Sequence, residues 1–358
     1  MSAETSEEFA ALSMDAFARS PDFVALFNFH DAYPAFKDGG YIFMQEFFSC
    51  LAINIMIDHP LHLRDKIIHF EDANSHDRHR QAPAPPGIYG IMEPEHAVFL
   101  NDLGIADSRI FPFPQAGPPP SATIAPFEQR DIDILFHGTI GELLPDDVFF
   151  GRIGSFGSLR QATKAAIDAV LNLEGDVYLI ARRELAARDL PFDAGLMAEQ
   201  VDRRVRTLRR HHLLSTFSGR QIHFCGTVCD SFKRANPNGI YHGELSFTEV
   251  AALSRRAKVV LNDSINLRHA LLMRAHYAMA EGCVLASERN PTIETQFTDM
   301  KDVLILDGTA EDNERLSAVV GDRRLWSDIS GRGIESHVRS HQWDHRVGAL
   351  MAAAGIAG

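Results

Sequence analysis

Two stretches of the chain hold residue types that could bind a charged ligand. The first, Asn262 to Arg268 (NDSINLR), lies between an apolar run, residues 258–261, and a helical segment carrying Arg274. Backbone N–H groups at a helix start, with an arginine nearby, suit a diphosphate. The same spacing also fits an ordinary loop with a surface arginine. The second stretch, His137-Gly138-Thr139, closes the apolar run DIDILFH, and a glycine there lets backbone approach a phosphate. Neither the dinucleotide-binding GxGxxG nor the P-loop fingerprint occurs.

Asp58 and His59 close a buried run, AINIMI. An acid or a histidine at such a strand end is a candidate general base; the alternative is an aspartate that caps the next turn. His62, His69, His76 and His79 follow before Arg80. No HExxH motif or carboxylate cluster accompanies them, so solvated or hydrogen-bonded loop histidines are preferred to a metal site. Cys225 and Cys229 read as buried reduced thiols, because a closed zinc site needs further ligands at characteristic spacings. The run from Arg203 to His212 is strongly basic. With Val201, Val205, Leu208 and Leu213 at helical spacing it reads as a solvated helix with a basic face. Its alternative role is contact with an acidic partner or an anionic membrane surface.

The elements that must position these residues alternate between strand and helix. In the first part, 22–29, 52–57 and 87–92 read as apolar strands or short apolar pieces, as does 67–70; 43–51 reads as a helix, and Pro94 opens another that runs through Leu103. The stretch FPFPQAGPPPSATIAP, residues 111–126, is too rich in proline for a helix or a central strand and reads as an interdomain linker. Strands are then expected at 131–137, 176–180, 221–225, 258–261, 284–287 and 303–306. Helices are expected at 156–173, 181–216 with a break near Pro191, 247–256, 271–280 and 342–354. Ser246 with Glu249 is a capping box for the helix at 247. The strands are too uniformly apolar for burial on one face, so parallel sheets covered on both faces are implied. Two α/β domains would leave a cleft at the carboxyl ends of their strands, where such folds bind ligands.

Bulk composition agrees with a globular, two-domain protein. The chain has 358 residues, 45% hydrophobic and 23% charged, with a formal net charge of −13. That charge argues against a nucleic-acid partner. No apolar run approaches the roughly 20 residues needed to span a bilayer. The acidic N-terminus, MSAETSEEFAAL, lacks the order of a signal peptide, so a cytoplasmic location is expected.

Several segments, in order, resemble group-1 glycosyltransferases of the GT-B fold. DIDILFHGTI is similar to that group's "DIDVLFxGS". IHFCGTV and YHGELSFTEVAALSRRAKVVLN resemble its "xGxLxxxELxxLYxxAKIVLN". MRAHYAMAEGCVLASERNPTIETQF resembles "xRxFEAMAxGxxxxTDxxPxLxxxF", and SHQWDHRVGALM resembles "xHTWxHRVxxLL". The resemblance covers residues 131–350, and AINIMIDHPLH is similar to a segment that precedes this domain in bacterial relatives.

The resemblance implies a bacterial, GT-B-like α/β fold of two Rossmann-like domains with a cleft between them. Residues 1–125 would form the acceptor-side domain and 127–335 the nucleotide-sugar domain, with 336–358 a helix crossing back. The implied activity is that of a hexosyltransferase-type enzyme (EC 2.4) of glycan biosynthesis. It would move sugar, without a metal or cofactor, from a UDP- or GDP-linked donor to a glycan, lipid-linked or protein acceptor. His242, Gly243 and Glu244 would lie beside the base, and Arg274 would approach the diphosphate under the Gly138-Thr139 loop. Asn262, Asn266 and Tyr277 would complete the donor site, and Asp58 or His59 would be the base if the reaction inverts. The family's glutamate in "EAMAxG" aligns with Tyr277. A tyrosine can donate to a hydroxyl but cannot accept as a carboxylate does. That departure supports a second reading, a non-catalytic sugar-nucleotide-binding protein. A metal-dependent hydrolase built on the histidine-rich segment is a third.

Overall fold

The computed structural model describes residues 25–29, 51–68, 71, 87–154, 156–264, 266–353 and 355. The chain divides into two compact units, one of residues 1–114 with 347–358 and one of residues 115–346. The helix expected from Phe43 and the histidines His69, His76 and His79 lie outside the described residues.

In the first unit, β1 (Ala25–Phe29), β2 (Leu51–Ile55), β3 (Ile88–Ile91) and β4 (Ile110–Pro112) form one sheet in that order, each pair parallel. Ile53, Ile55, Tyr89 and Ile91 are buried, as expected of strands covered on both faces. A side chain at Gly90 would come within 2.9 Å of Ile55 Cδ1 and Phe113 Cβ, so close packing requires glycine there. The proline-rich stretch begins as an edge strand: Pro112 ends β4, a position that tolerates the missing N–H. Helix α1 (His96–Asp102) follows β3.

The second unit holds a six-stranded parallel sheet. Its strands are β5 (Ile132–His137), β6 (His223–Cys225), β7 (Ile240–Gly243), β8 (Ala257–Asn262), β9 (Val284–Glu288) and β10 (Leu304–Leu306). The spatial order is β10-β9-β8-β5-β6-β7. The chain therefore runs outward from β5 through β6 and β7, returns to the other side of β5 at β8, and runs outward again. The reversal lies between β5 and β8. In open α/β sheets the crevice at such a reversal is the usual ligand site.

Four helices separate β5 from β6: α2 (Asp146–Arg152), α3 (Gly157–Leu171), α4 (Val177–Ala186) and α5 (Ala194–Thr216). Then come α6 (Asp230–Ala235), α7 (Phe247–Arg256), α8 (Met273–Ala280), α9 (Pro291–Gln296), α10 (Ala310–Gly321), α11 (Arg323–Ser340) and α12 (Asp344–Ala353). Alternate strand residues feed two cores. Phe136, Val259 and Leu261 pack with Leu213, Phe217 and Trp326, while Leu135 and Val260 pack with Leu271, Ala275 and Met279. Ser246 starts α7 through the expected capping box with Glu249.

Two expectations are corrected. Residues 176–180 form no strand: Asp176 caps α4, its Oδ1 accepting from the N–H of Tyr178 at 2.9 Å and of Leu179 at 3.1 Å. The apolar run VYLI continues into IARRELA, and Val177, Ile180, Ala181 and Leu185 are buried along one helical face. A short apolar run carries no periodicity of its own, and the longer pattern prevails. Nor is the basic run of α5 a solvated face. Arg204 and Arg209 are buried; Arg204 donates to Leu144 O and Asp146 Oδ1, both at 2.8 Å. Arg209 donates to the carbonyls of Val170 and Leu171 at the end of α3. Arginine side chains here tie the inserted helices to one another, and Arg203 stays exposed. Among the described residues no helix is long and apolar enough to cross a membrane.

Candidate active site

At the reversal between β5 and β8, the residue after β8 is Asp263, with no exposed surface. Its Oδ2 accepts from Arg210 Nε at 2.8 Å, and its Oδ1 lies 2.8 Å from Arg274 Nη1. Arg210 comes from α5 and Arg274 from the first turn of α8, so one carboxylate joins two elements across the strand ends. Both arginines also donate to the end of β5: Arg274 Nη1 to His137 O at 2.6 Å, and Arg210 Nη1 to Thr139 O at 2.5 Å. Arg274 Nε and Nη2, and Arg210 Nη2, have no hydrogen-bond partner among the described residues. These atoms are not fully buried, although the Arg274 and Arg210 side chains are only 10% and 12% exposed.

The electrostatics follow from burial and charge. Burial alone would raise the Asp263 carboxyl, but Arg274 and Arg210 together hold it below the usual carboxylate range. Burial lowers the Arg274 guanidinium to about 10, against the opposing pull of Asp263 and with the charges of Arg210 and Arg206 adding to the lowering. Arg274 thus stays charged near neutral pH. The His137 imidazole is lowered to about 4 by burial and by the same two arginines, and is uncharged. The crevice therefore holds two guanidinium charges against one carboxylate, an arrangement that favours an anion.

The neighbouring strand ends form a surface of glycines. Gly138 N donates to Cys225 O at 2.9 Å, and Gly226 N donates to Gly243 O at 2.7 Å. Gly226 has φ +112°, and a Cβ there would stand 2.8 Å from Gly138 O, so no side chain fits. A Cβ on Gly138 would stand 3.1 Å from Arg274 Nη1. Glu244 accepts from Thr227 Oγ1 at 2.5 Å, and His242 Nε2 meets His223 Nδ1 at 3.0 Å. On the far side, Ser264 N donates to Glu288, whose carboxyl is raised by burial. Beyond it a cavity of about 510 Å³, lined in part by Arg209, His212, Glu288 and Asp307, opens at the ends of β9 and β10.

Of the expected donor residues, the structure brings Gly138, Thr139 and Arg274 together, with Gly243 two strand ends beyond, at the end of β7. Asn262 faces into the sheet and donates to Ser287 Oγ at 2.9 Å. Asn266, at φ +58°, donates to Asp202 Oδ1 at 2.7 Å, beside the Asp202–Arg206 ion pair. Tyr277, one turn after Arg274 on α8, packs against the exposed ring of Phe247 with centroids 6.3 Å apart. Glu281 is held by Arg255 and Ser121. Asp58 and His59 lie in the first unit: His59 is buried against His96, its Nδ1 accepting from Leu61 N, and Asp58 Oδ1 accepts from His59 N. Asp263, Arg210 and Gly226 were not among the expected site residues. The signals for Asp263 and Gly226 were an acid directly after a buried strand and a glycine at a strand end; nothing in the basic run singles out Arg210.

Residues 203–352, less than half of the chain, match the family model described as glycosyl transferase-like. The match runs from α5 to α12 and so includes Arg210, Asp263 and Arg274; the resemblance to the C-terminal domain of group-1 GT-B glycosyltransferases stands on this segment. No curated protein matches. Among solved structures, a mutant S. aureus TarM in complex with fondaparinux, α-GlcNAc-glycerol and UDP is similar at 10% identity and TM-score 0.43, over 85% of this chain and 55% of that one. The chain thus spans about half the length of TarM. Anabaena HepE in complex with UDP and glucose is similar at 8% identity and TM-score 0.46, over 98% and 83% of the two chains. Sucrose-phosphate synthase from Thermosynechococcus elongatus is similar at 12% identity and TM-score 0.42, over 99% and 79%.

Proposed function

We propose that the chain is a glycosyltransferase that moves a sugar from a UDP- or GDP-linked donor to an acceptor hydroxyl. One observation carries this reading. Arg274 and Arg210 are fixed by Asp263 at the sheet reversal, inside the glycosyl transferase-like segment, with N–H groups left to receive a diphosphate. The glycine strand ends at Gly138, Gly226 and Gly243 leave room for the rest of the nucleotide. The leaving diphosphate is stabilised by the two guanidiniums in place of a metal ion. The first unit supplies the acceptor side, with Asp58 or His59 as base if the reaction inverts. The acceptor is a glycan, lipid-linked or protein hydroxyl, and the enzyme works in the bacterial cytoplasm as a hexosyltransferase.

Nucleotide-dependent thermal stabilisation tests the binding half. UDP or GDP at about 100 times its dissociation constant should add roughly 2.7 kcal/mol. No stabilisation by either nucleotide or its sugars, together with no sugar release, sinks the proposal. The Tyr277–Phe247 contact favours a second reading, a binding protein without catalysis, because a phenol raised further by burial accepts poorly from sugar or ribose hydroxyls. Donor hydrolysis separates the two: a binder is stabilised by donor and releases no sugar.

A further inference from the structure

His276 on α8 is 2% exposed, and neither of its ring nitrogens has a hydrogen-bond partner among the described residues. Leaving a buried polar group unpaired costs about 1–3 kcal/mol, a cost that a leucine or phenylalanine would avoid. Two more buried histidines lie beside it: the rings of His337 and His341 are 6.0 and 5.3 Å from that of His276. His337 Nε2 donates to Pro118 O at 2.7 Å, and His341 stacks on Phe297 at 5.3 Å.

These rings crowd one glycine. A Cβ on Gly117 would come within 2.7 Å of His276 Cβ and 2.9 Å of His337 Cε1. Gly117 is in turn bridged to the end of α11. Its N–H donates to His341 O at 2.9 Å, and its carbonyl accepts from Trp343 N at 3.0 Å, as an isolated parallel bridge. The second unit begins at Gln115 and ends at Arg346. The bridge therefore ties together the segments by which the chain enters and leaves that unit.

Among the described residues, the charges acting on the rings all have one sign: those of His345, Arg339 and Arg346, with no carboxylate. Residues 115–118 (QAGP) carry no ionisable side chain, and Phe297 is apolar. Burial and these cations lower His341 to about 4 and push His276 and His337 below the usual imidazole range. Among the described residues, the groups that could place ligand atoms within 4.8 Å of one another do not include these three, so the cluster is not arranged to hold a metal.

We propose that His276, His337 and His341 are an acid-release clasp: uncharged, they seat Gly117 and hold the bridge to 341–343, and in mildly acidic solution protonation forces like charges together and frees it. A histidine with an ordinary pKa near 6.5 in the open form, and well below that in the closed form, favours opening by about tenfold between pH 7.5 and 5.5. His341 and His276 both meet that condition, and their effects multiply.

Hydrogen exchange on the full chain reads the clasp directly. After correction for intrinsic rates, protection of the Gly117 and Trp343 amides should fall about tenfold or more from pH 7.5 to 5.5 while β5 and β8 keep theirs. In His276→Phe the fall should shrink by about one histidine's tenfold. Equal protection at both pH values, or a fall shared by β5 and β8, overturns the proposal. Should the variant not fold, histidine NMR of the native chain decides. Loss of the bridge must track the titration of these three rings; rings that titrate near 6.5 while the bridge amides stay protected overturn it equally.

Discussion

Asp263 and Arg274 form an ion pair at 2.8 Å in which the carboxylate is wholly buried, at the one place where the sheet of the second unit reverses its strand order. A charge is expensive to bury, and this one is kept ionised by two arginines from different helices. The pair sets the positions of the guanidiniums on which the proposed donor site depends.

Breaking it should show in binding and in stability at once. Arg274→Gln leaves Asp263 with Arg210 alone, and loss of one partner from a buried pair costs about 3–5 kcal/mol. UDP affinity should fall at least about tenfold, a change of ~1.4 kcal/mol, by calorimetry on the folded fraction. An unchanged affinity would remove Arg274 from the site.

Gly226→Ala tests the glycine surface. The residue sits at φ +112° with Gly138 O at 2.8 Å from any Cβ, so alanine adds backbone strain and pushes the β5 loop. A stability loss of about 1–3 kcal/mol by urea denaturation is expected, with weaker nucleotide binding. Alanine at Gly104, also at positive φ but with no atom within 4 Å of its Cβ, should cost the strain and leave binding unchanged.

Ser246→Ala removes the cap of α7. Its hydroxyl takes part in the box with Glu249, and a loss of about 1 kcal/mol in thermal unfolding is expected. A loss above about 3 kcal/mol would mean the side chain does more than cap.

His137 gives a pH dependence with a defined sign. Its folded pKa, lowered to about 4, lies below the ordinary 6.5 of the unfolded chain. The unfolded state therefore binds the extra proton between these values. The stability His137 contributes is complete above about pH 6.5 and is lost as pH falls towards 4, by up to about 3 kcal/mol. His137→Asn should flatten that part of the stability profile measured by denaturant titration from pH 7 to 4. An unaltered slope would contradict the assignment.

Elements whose signals are local were legible in the sequence. The Ser246–Glu249 capping box placed α7 to the residue, and the uniformly apolar runs placed β5, β8 and β9 within a residue or two. Residues 176–180 were not legible, because whether VYLI extends or coils depends on the face it shares with Leu185 and on Asp176 caps. For the candidate site, the glycine of the β5 loop and Arg274 could be read from order along the chain. Asp263 and Arg210 could not: they are 53 residues apart, and their pairing exists only once α5 crosses the strand ends. A basic run gives no sign of which arginines turn inward.

Calorimetric titration of the native chain and of Arg274→Gln with UDP and with GDP, in chelator, tests the central claim most directly. One nucleoside diphosphate should bind at a single site in the native chain, without added metal, and about tenfold or more weakly in the variant. Flat titrations with both nucleotides, or equal affinity in the two proteins, would contradict the account.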